Sequence, residues 1–271
     1  MKLDMRLHSS LDKVFPDQLE VQDSVQDVEL FQNETASFQV SWRTADGAPR
    51  GYIEWEMISP IAQHIRVRRV RSVPVGLAAF EDSDSDYLRR TPGLYPDLLT
   101  EVGLNRLYSY PSQRCCIWLD VEPAGLAAGE YPVTIRMGEP EGEKFERTIT
   151  VRVLPGMLPK QRLTYTRWFY CDCICEAYGV EMLSEAFWLR AEQFLAIAAK
   201  RGMNAVLTPI HTPPLDTAVG TERMTTQLVV IKKRGGVYEF DFANLDRWVD
   251  MVHRAGLEYF EMAHLFTQWG A

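Results

Sequence analysis

Three short stretches of the chain gather residue types that handle sugars or metals. TRWFYCDCIC places Trp168, Tyr170 and Asp172 among Cys171, Cys173 and Cys175. HTPPLDTAVGTER carries His211, Asp216, Glu222 and Arg223, and EYFEMAHLFTQWGA carries Glu261, His264, Gln268 and Trp269. Aromatic faces pack on the C–H surfaces of sugars while planar polar groups read the hydroxyls, so this mixture fits a carbohydrate site.

Each candidate has a plainer reading beside the functional one. Trp168 and Tyr170 can be ordinary packing. Asp172, read as a carboxylate near the end of a buried strand, must be hydrogen-bonded or take part in a site. His211 precedes two prolines that stiffen its loop and fix its imidazole, although a satisfied structural histidine is the commoner case. Glu222 and Arg223 can pair simply to organise the loop, with Arg223 the sugar-binding candidate of the two. Alternation from Leu257 sets His264 with Met262 and Phe266 on one strand face and Glu261 with Ala263 and Leu265 on the other. One face of a barrel strand looks inward, and His264 is preferred for it, with Gln268 and Trp269 in the loop beyond.

The cysteines suggest no metal. Read as an extended strand, CDCIC puts Cys171, Cys173 and Cys175 on one face with Cα atoms about 6.6 Å apart, a poor geometry for a disulfide or for tetrahedral zinc. The CxxC spacing of zinc sites is missing, and small buried thiols explain the residues more simply. No metal and no cofactor are expected.

Positioning such residues requires a fold, and the chain divides into two patterns. Up to about Pro155, ASFQVSW, YIEWEMI, IRVRRVRSVPV, QRCCIWLDVEP, GEYPVTIRM and KFERTITVRVL alternate as short strands, separated by TADGAPRG, PAGLAAGE and GEPEGE. They predict an immunoglobulin-like β-sandwich over residues 1–155, interrupted by a loop from about Glu81 to Pro111. LPGMLPK, Leu154 to Lys160, is the linker candidate.

From 156 to 271 the order reads strand, helix, strand, hairpin, helix, strand. Ser184 is placed to cap SEAFWLRAEQFLAIAAKRG, with Phe187, Leu189, Phe194, Leu195, Ile197 and Ala198 at helical spacing, and Gly202 and Gly256 close the two helices. Alternation of this kind is parallel βαβ architecture, with chemistry at the carboxyl ends of the strands. No GxGxxG or GxxxxGK[ST] follows the first strand, which leaves nucleotide binding unsupported. The expected fold is therefore a sandwich followed by the first strands and helices of an incomplete (β/α)8 TIM barrel, since a whole barrel takes about 250 residues.

TRWFYCDCICEAYGVEMLSEAFW, NAVLTPIHTPPLDTAVGTER and EYFEMAHLFTQWGA together resemble the front of the catalytic barrel of glycoside hydrolase family 123 and of bacterial proteins carrying domain of unknown function 4091. ETASFQV and AGEYPVTIRM in the N-terminal half are similar to the sandwich of that family. The resemblance implies a retaining β-N-acetylhexosaminidase type of activity on glycans. There a Glu acts as general acid/base, and a neighbouring Asp orients the substrate's acetamido group, which itself attacks the anomeric carbon. That Asp-Glu pair lies on a later strand, so no catalytic residue is expected within this chain. A non-catalytic carbohydrate- or protein-binding module is the alternative.

Composition sets the partners. The chain has 271 residues, 46% hydrophobic, with a formal net charge of -8. A phosphate backbone needs clustered cations, so nucleic acid is excluded as a partner. No stretch reaches the roughly 18 apolar residues that span a bilayer, and MKLDMRLHSSLDKVF is too charged for a signal peptide, which predicts a cytoplasmic protein with no membrane partner. An open barrel edge should be covered by the rest of the barrel or by self-association.

Overall fold

Alternation of apolar and polar residues builds the first of two units, Met1–Pro159. Its strands are β1 (Leu3–Ser9), β2 (Asp27–Phe31), β3 (Ala36–Thr44), β4 (Gly51–Ile58), β5 (Ile65–Val75), β6 (Gly93–Glu101), β7 (Arg106–Ser109), β8 (Cys115–Val121), β9 (Gly129–Gly138) and β10 (Lys144–Leu154). The structure is a computed structural model that describes residues 3–44, 51–103, 105–210, 224 and 226–263.

Two five-stranded sheets result, ordered β1-β3-β8-β5-β6 and β2-β10-β9-β4-β7. All pairings are antiparallel except β10 with β2. The inward residues of both sheets share one core: Phe38, Val40 and Trp42 from β3 and Ile117 and Leu119 from β8 meet Val133, Ile135 and Met137 from β9 and Ile149 and Val151 from β10. Each large side chain so buried contributes about 1.5–3 kcal/mol.

The span from Glu81 to Pro111, expected as a loop, contains β6 and β7. Both lie at sheet edges, where one side of the strand needs no partner and Pro96 is tolerated. The mostly exposed residues of β6 hide the alternation that marks a strand, and β7 is only four residues long.

A polar network is also built into this unit. The Arg114 side chain is fully buried, and its guanidinium donates to Asp4 Oδ2 (2.6 Å), Ser41 Oγ (3.2 Å) and the carbonyls of Gln18 and Leu19. Ser41 Oγ is also 2.7 Å from His8 Nε2. Burial pushes the Asp4 carboxyl up, but the bonds and charges of Arg114 and Arg6 outweigh it and hold the group below its ordinary value. Burial pushes the His8 imidazole below its ordinary value.

The second unit, Lys160–Ala271, has a different logic. It contains β11 (Thr166–Arg167), α1 (Cys171–Tyr178), α2 (Glu185–Lys200), β12 (Ala205–Thr208), β13 (Val230–Arg234), β14 (Val237–Asp241), α3 (Ala243–Ala255) and β15 (Tyr259–Met262). Three strands form a parallel sheet in the order β11-β12-β15, and β13 and β14 form a hairpin turned at Gly235 and Gly236, both at positive φ.

Helix α2 starts where Ser184 accepts a hydrogen bond from the Phe187 amide, and α3 ends on Gly256 at φ 98°. The buried face of α2 is Phe187, Trp188, Ala191 and Leu195, whereas Leu189, Phe194 and Ile197, expected inside, are exposed. The helix is apolar around much of its girth, and that leaves its inner face ambiguous from spacing alone.

CDCICEAY is helix rather than strand. Cys171, Ile174 and Cys175 fall at i, i+3 and i+4 and are buried together, while Cys173 points out, so the three cysteines do not share a face.

Candidate functional site

The carboxyl edge of the parallel sheet is the place to look for a site. Asn204 sets the register at the opposite end: its Oδ1 accepts from the Tyr165 amide at 2.6 Å, and its carbonyl accepts from the amides of Glu258 and Tyr259. In that register Arg167 pairs with Val206, and Val206 with Phe260; Leu207 pairs with Glu261, and Thr208 with Met262. Neighbours in register share a sheet face. Val206 and Phe260 lie in the core formed with Phe187 and Leu195 of α2 and Trp248 and Val252 of α3. The opposite face of the sheet carries Thr166, Leu207 and Glu261.

On that face one carboxylate joins the first and third strands. Thr166 Oγ1 donates to Glu261 Oε2 at 2.9 Å, and Trp168 Nε1 donates to Glu261 Oε1 at 3.2 Å. Both carboxylate oxygens are used. The indole is thereby held in one orientation although Trp168 is 47% exposed. Tyr170 meets it edge to face with ring centroids 6.5 Å apart. The Arg167 guanidinium donates to the Tyr165 hydroxyl at 2.8 Å and lies over that ring. An exposed indole fixed by a carboxylate beside a tyrosine is a wall on which the apolar face of a sugar can stack.

Asp172 belongs to the first turn of α1, not to a strand end, and is 7% exposed. A carboxylate there is favoured by the helix dipole. The neighbouring thiols are poor nucleophiles: burial, with the Asp172 charge second, pushes Cys171 well above its ordinary value and raises Cys175. Among the described residues no group of three or more His, Cys, Asp and Glu is arranged to hold a metal ion.

Of the sequence candidates, the structure therefore brings Trp168 and Tyr170 together and sets Asp172 on the adjoining helix. His211, Asp216, Glu222, Arg223, His264, Gln268 and Trp269 lie outside the described residues. Glu261, to which the sequence reading preferred His264, lies on the face away from the helices, and His264 itself lies outside the described residues. The signal was present in the aromatic and branched residues of the other face, Phe169, Val206 and Phe260, which mark the side the helices cover.

Comparison with known proteins takes in most of the second unit. Residues 168–271 match the glycoside hydrolase 123 catalytic domain. The match begins at Trp168 and includes Tyr170 and Glu261.

Among solved structures, a family 123 glycoside hydrolase from Clostridium perfringens, described for glycolipid glycan hydrolysis, superposes with a TM-score of 0.74 at 13% identity. The alignment covers 95% of this chain and 46% of that one, so the chain spans about half the length of the structure it matches. At that identity the likeness shows the fold. The N-terminal domain of PorA, at 7% identity and a TM-score of 0.29 over 57% of this chain and 100% of that one, carries no argument. No curated protein sequence matches the chain.

Proposed function

We propose that the chain forms the sandwich and the opening of the barrel of a β-N-acetylhexosaminidase-type glycoside hydrolase acting on glycans. The observation that carries this reading is the Trp168–Glu261 contact, braced by Thr166, on the face of the parallel sheet away from the helices, with Trp168 and Glu261 inside the segment that matches the glycoside hydrolase 123 catalytic domain. Trp168 and Tyr170 supply the apolar wall for the sugar ring, and Glu261 fixes the indole from behind. His211, Arg223, His264, Gln268 and Trp269 are assigned to the rim loops around it. A glycan is the partner.

In this reading the Asp-Glu pair that performs the chemistry belongs to later barrel strands. The 46% share of the solved relative that the chain spans supports that placement. These strands would also cover the open edge of β15, where self-association would otherwise do so.

The 271 residues alone should not hydrolyse aryl β-N-acetylhexosaminides. Robust turnover by this chain, removed by no treatment other than unfolding it, would place the acid/base within it and overturn the assignment.

A further inference from the structure

Strand β5 pairs with β8 only from Ile65 to Val70 but runs on to Val75 along β6, with a register shift between Arg71 and Ser72. The neighbours therefore part where β8 begins, and a space opens between β5 and residues 113–116. The chain ahead of β2 closes one end of it: the Arg114 amide donates to the Pro16 carbonyl at 2.8 Å, and Val14 and Pro16 form part of the wall. The result is a cavity of about 200 Å³ in the first unit, too small for a drug-sized ligand and suited to a single sugar ring.

Its charge is one-sided. Arg69, Arg71 and Arg114 line it and, among the described residues, no Asp or Glu does, in a chain whose net charge is -8. Arg114 has its counter-ion in Asp4. Alternation puts Arg66 and Arg68 on one face of β5, where each holds a carboxylate, Glu101 and Asp120 respectively. Arg69 and Arg71 share the other face with Cα atoms about 6.6 Å apart, and among the described residues neither is ion-paired. Arg69 donates to the Tyr108 carbonyl at 2.9 Å, and its Cζ lies 5.9 Å from the centre of the Tyr110 ring, which fixes the guanidinium at the cavity wall.

Two guanidinium groups without a counter-ion on one wall form a receptor for an oxyanion, because the planar fork donates two parallel hydrogen bonds to such a group. Beside them, Tyr110 is 39% exposed and offers a ring face, and the exposed Gln113 amide can read hydroxyls. We propose that this cavity binds a sugar unit that carries an oxyanion, as a carboxylate or a sulfate, with the charged group on Arg69 and Arg71 and the ring against Tyr110. A neutral sugar fits less well, since it leaves both cations without a counter-charge. The inference does not rest on the hydrolase reading, because every group it uses belongs to the first unit.

Calorimetric titration of the full chain with glucuronate, sulfated glucose, glucose and inorganic sulfate tests it. The two acidic sugars should bind saturably at millimolar concentration, the tighter of them showing which oxyanion the site takes, while glucose and inorganic sulfate should bind about tenfold more weakly. Arg71→Gln should weaken the acidic sugars about tenfold without shifting the melting temperature, because Arg71 is exposed and has no ion pair to lose among the described residues. Arg66→Gln, which removes a paired cation from the other face, should leave their binding unchanged. Binding of an N-acetylhexosaminide, read at Trp168, should be the same in Arg71→Gln as in the natural chain, so the two sites fail independently. No saturable binding, equal binding of glucose or of inorganic sulfate, or binding that Arg71→Gln does not weaken overturns the inference.

Discussion

At the scale of single residues, buried polar groups are where this chain is most exposed to pH. His8 is 4% exposed, its Nε2 is 2.7 Å from Ser41 Oγ, and burial holds its imidazole below the ordinary value. The unfolded chain therefore binds a proton that the folded chain resists. That favours folding above the unfolded value, about 6.5, and the advantage is lost as pH falls from there through the folded value. The melting temperature of the first unit should drop between neutral pH and about pH 5, and His8→Asn should flatten that drop. A variant with the same pH slope as the natural chain would show that His8 is not the group responsible. Asp4 and Asp120 are depressed as well, by Arg114 and Arg6 in one case and by Ser37, Trp118 and Arg68 in the other, each against an opposing effect of burial. Their contribution is present above about pH 4 and is lost at lower pH, which keeps the two effects separable.

At the scale of elements, the caps and the register hold the site in place. Ser184 Oγ accepts the Phe187 amide at 3.3 Å, and α2 begins there. Ser184→Ala should cost about 1 kcal/mol, read as a lowered denaturation midpoint of the second unit, while Ser184→Asp should retain most of the stability. Equal losses in both variants would mean that the hydroxyl is not acting as a cap. This cap could be read in the sequence, as could β5 and β10, whose boundaries coincide with the alternating runs Ile65–Val75 and Lys144–Leu154. Two kinds of element could not. β6 carries mostly exposed side chains at a sheet edge and lacks clean alternation, and β7, which does alternate, is only four residues long. α1 is eight residues long and rich in cysteine, so a short apolar run there looks equally like a strand. Its burial at i, i+3 and i+4 is helical spacing, which becomes decisive only once the core it faces is known. Alternation likewise separates the two faces of β15 without saying which one the helices cover.

At the scale of the whole molecule, two cores divide the work. The ten strands of Met1–Pro159 bury a large apolar cluster, whereas Lys160–Ala271 packs three helices on one face of a small parallel sheet and sets Thr166 and Glu261 on the other. A sheet of three parallel strands shields a ligand poorly. The affinity for sugar should therefore be low and should rest on the indole, because stacking against one aromatic face needs no enclosure. The most direct measurement is titration of an N-acetylhexosaminide into the chain, followed by the indole fluorescence and by ligand-observed NMR. Saturable binding that Trp168→Ala abolishes, and that Glu261→Ala weakens about five- to tenfold by releasing the indole, is the expected result. Saturable binding unchanged in both variants, or none with the natural chain at millimolar sugar, would contradict a sugar wall at the edge of this sheet.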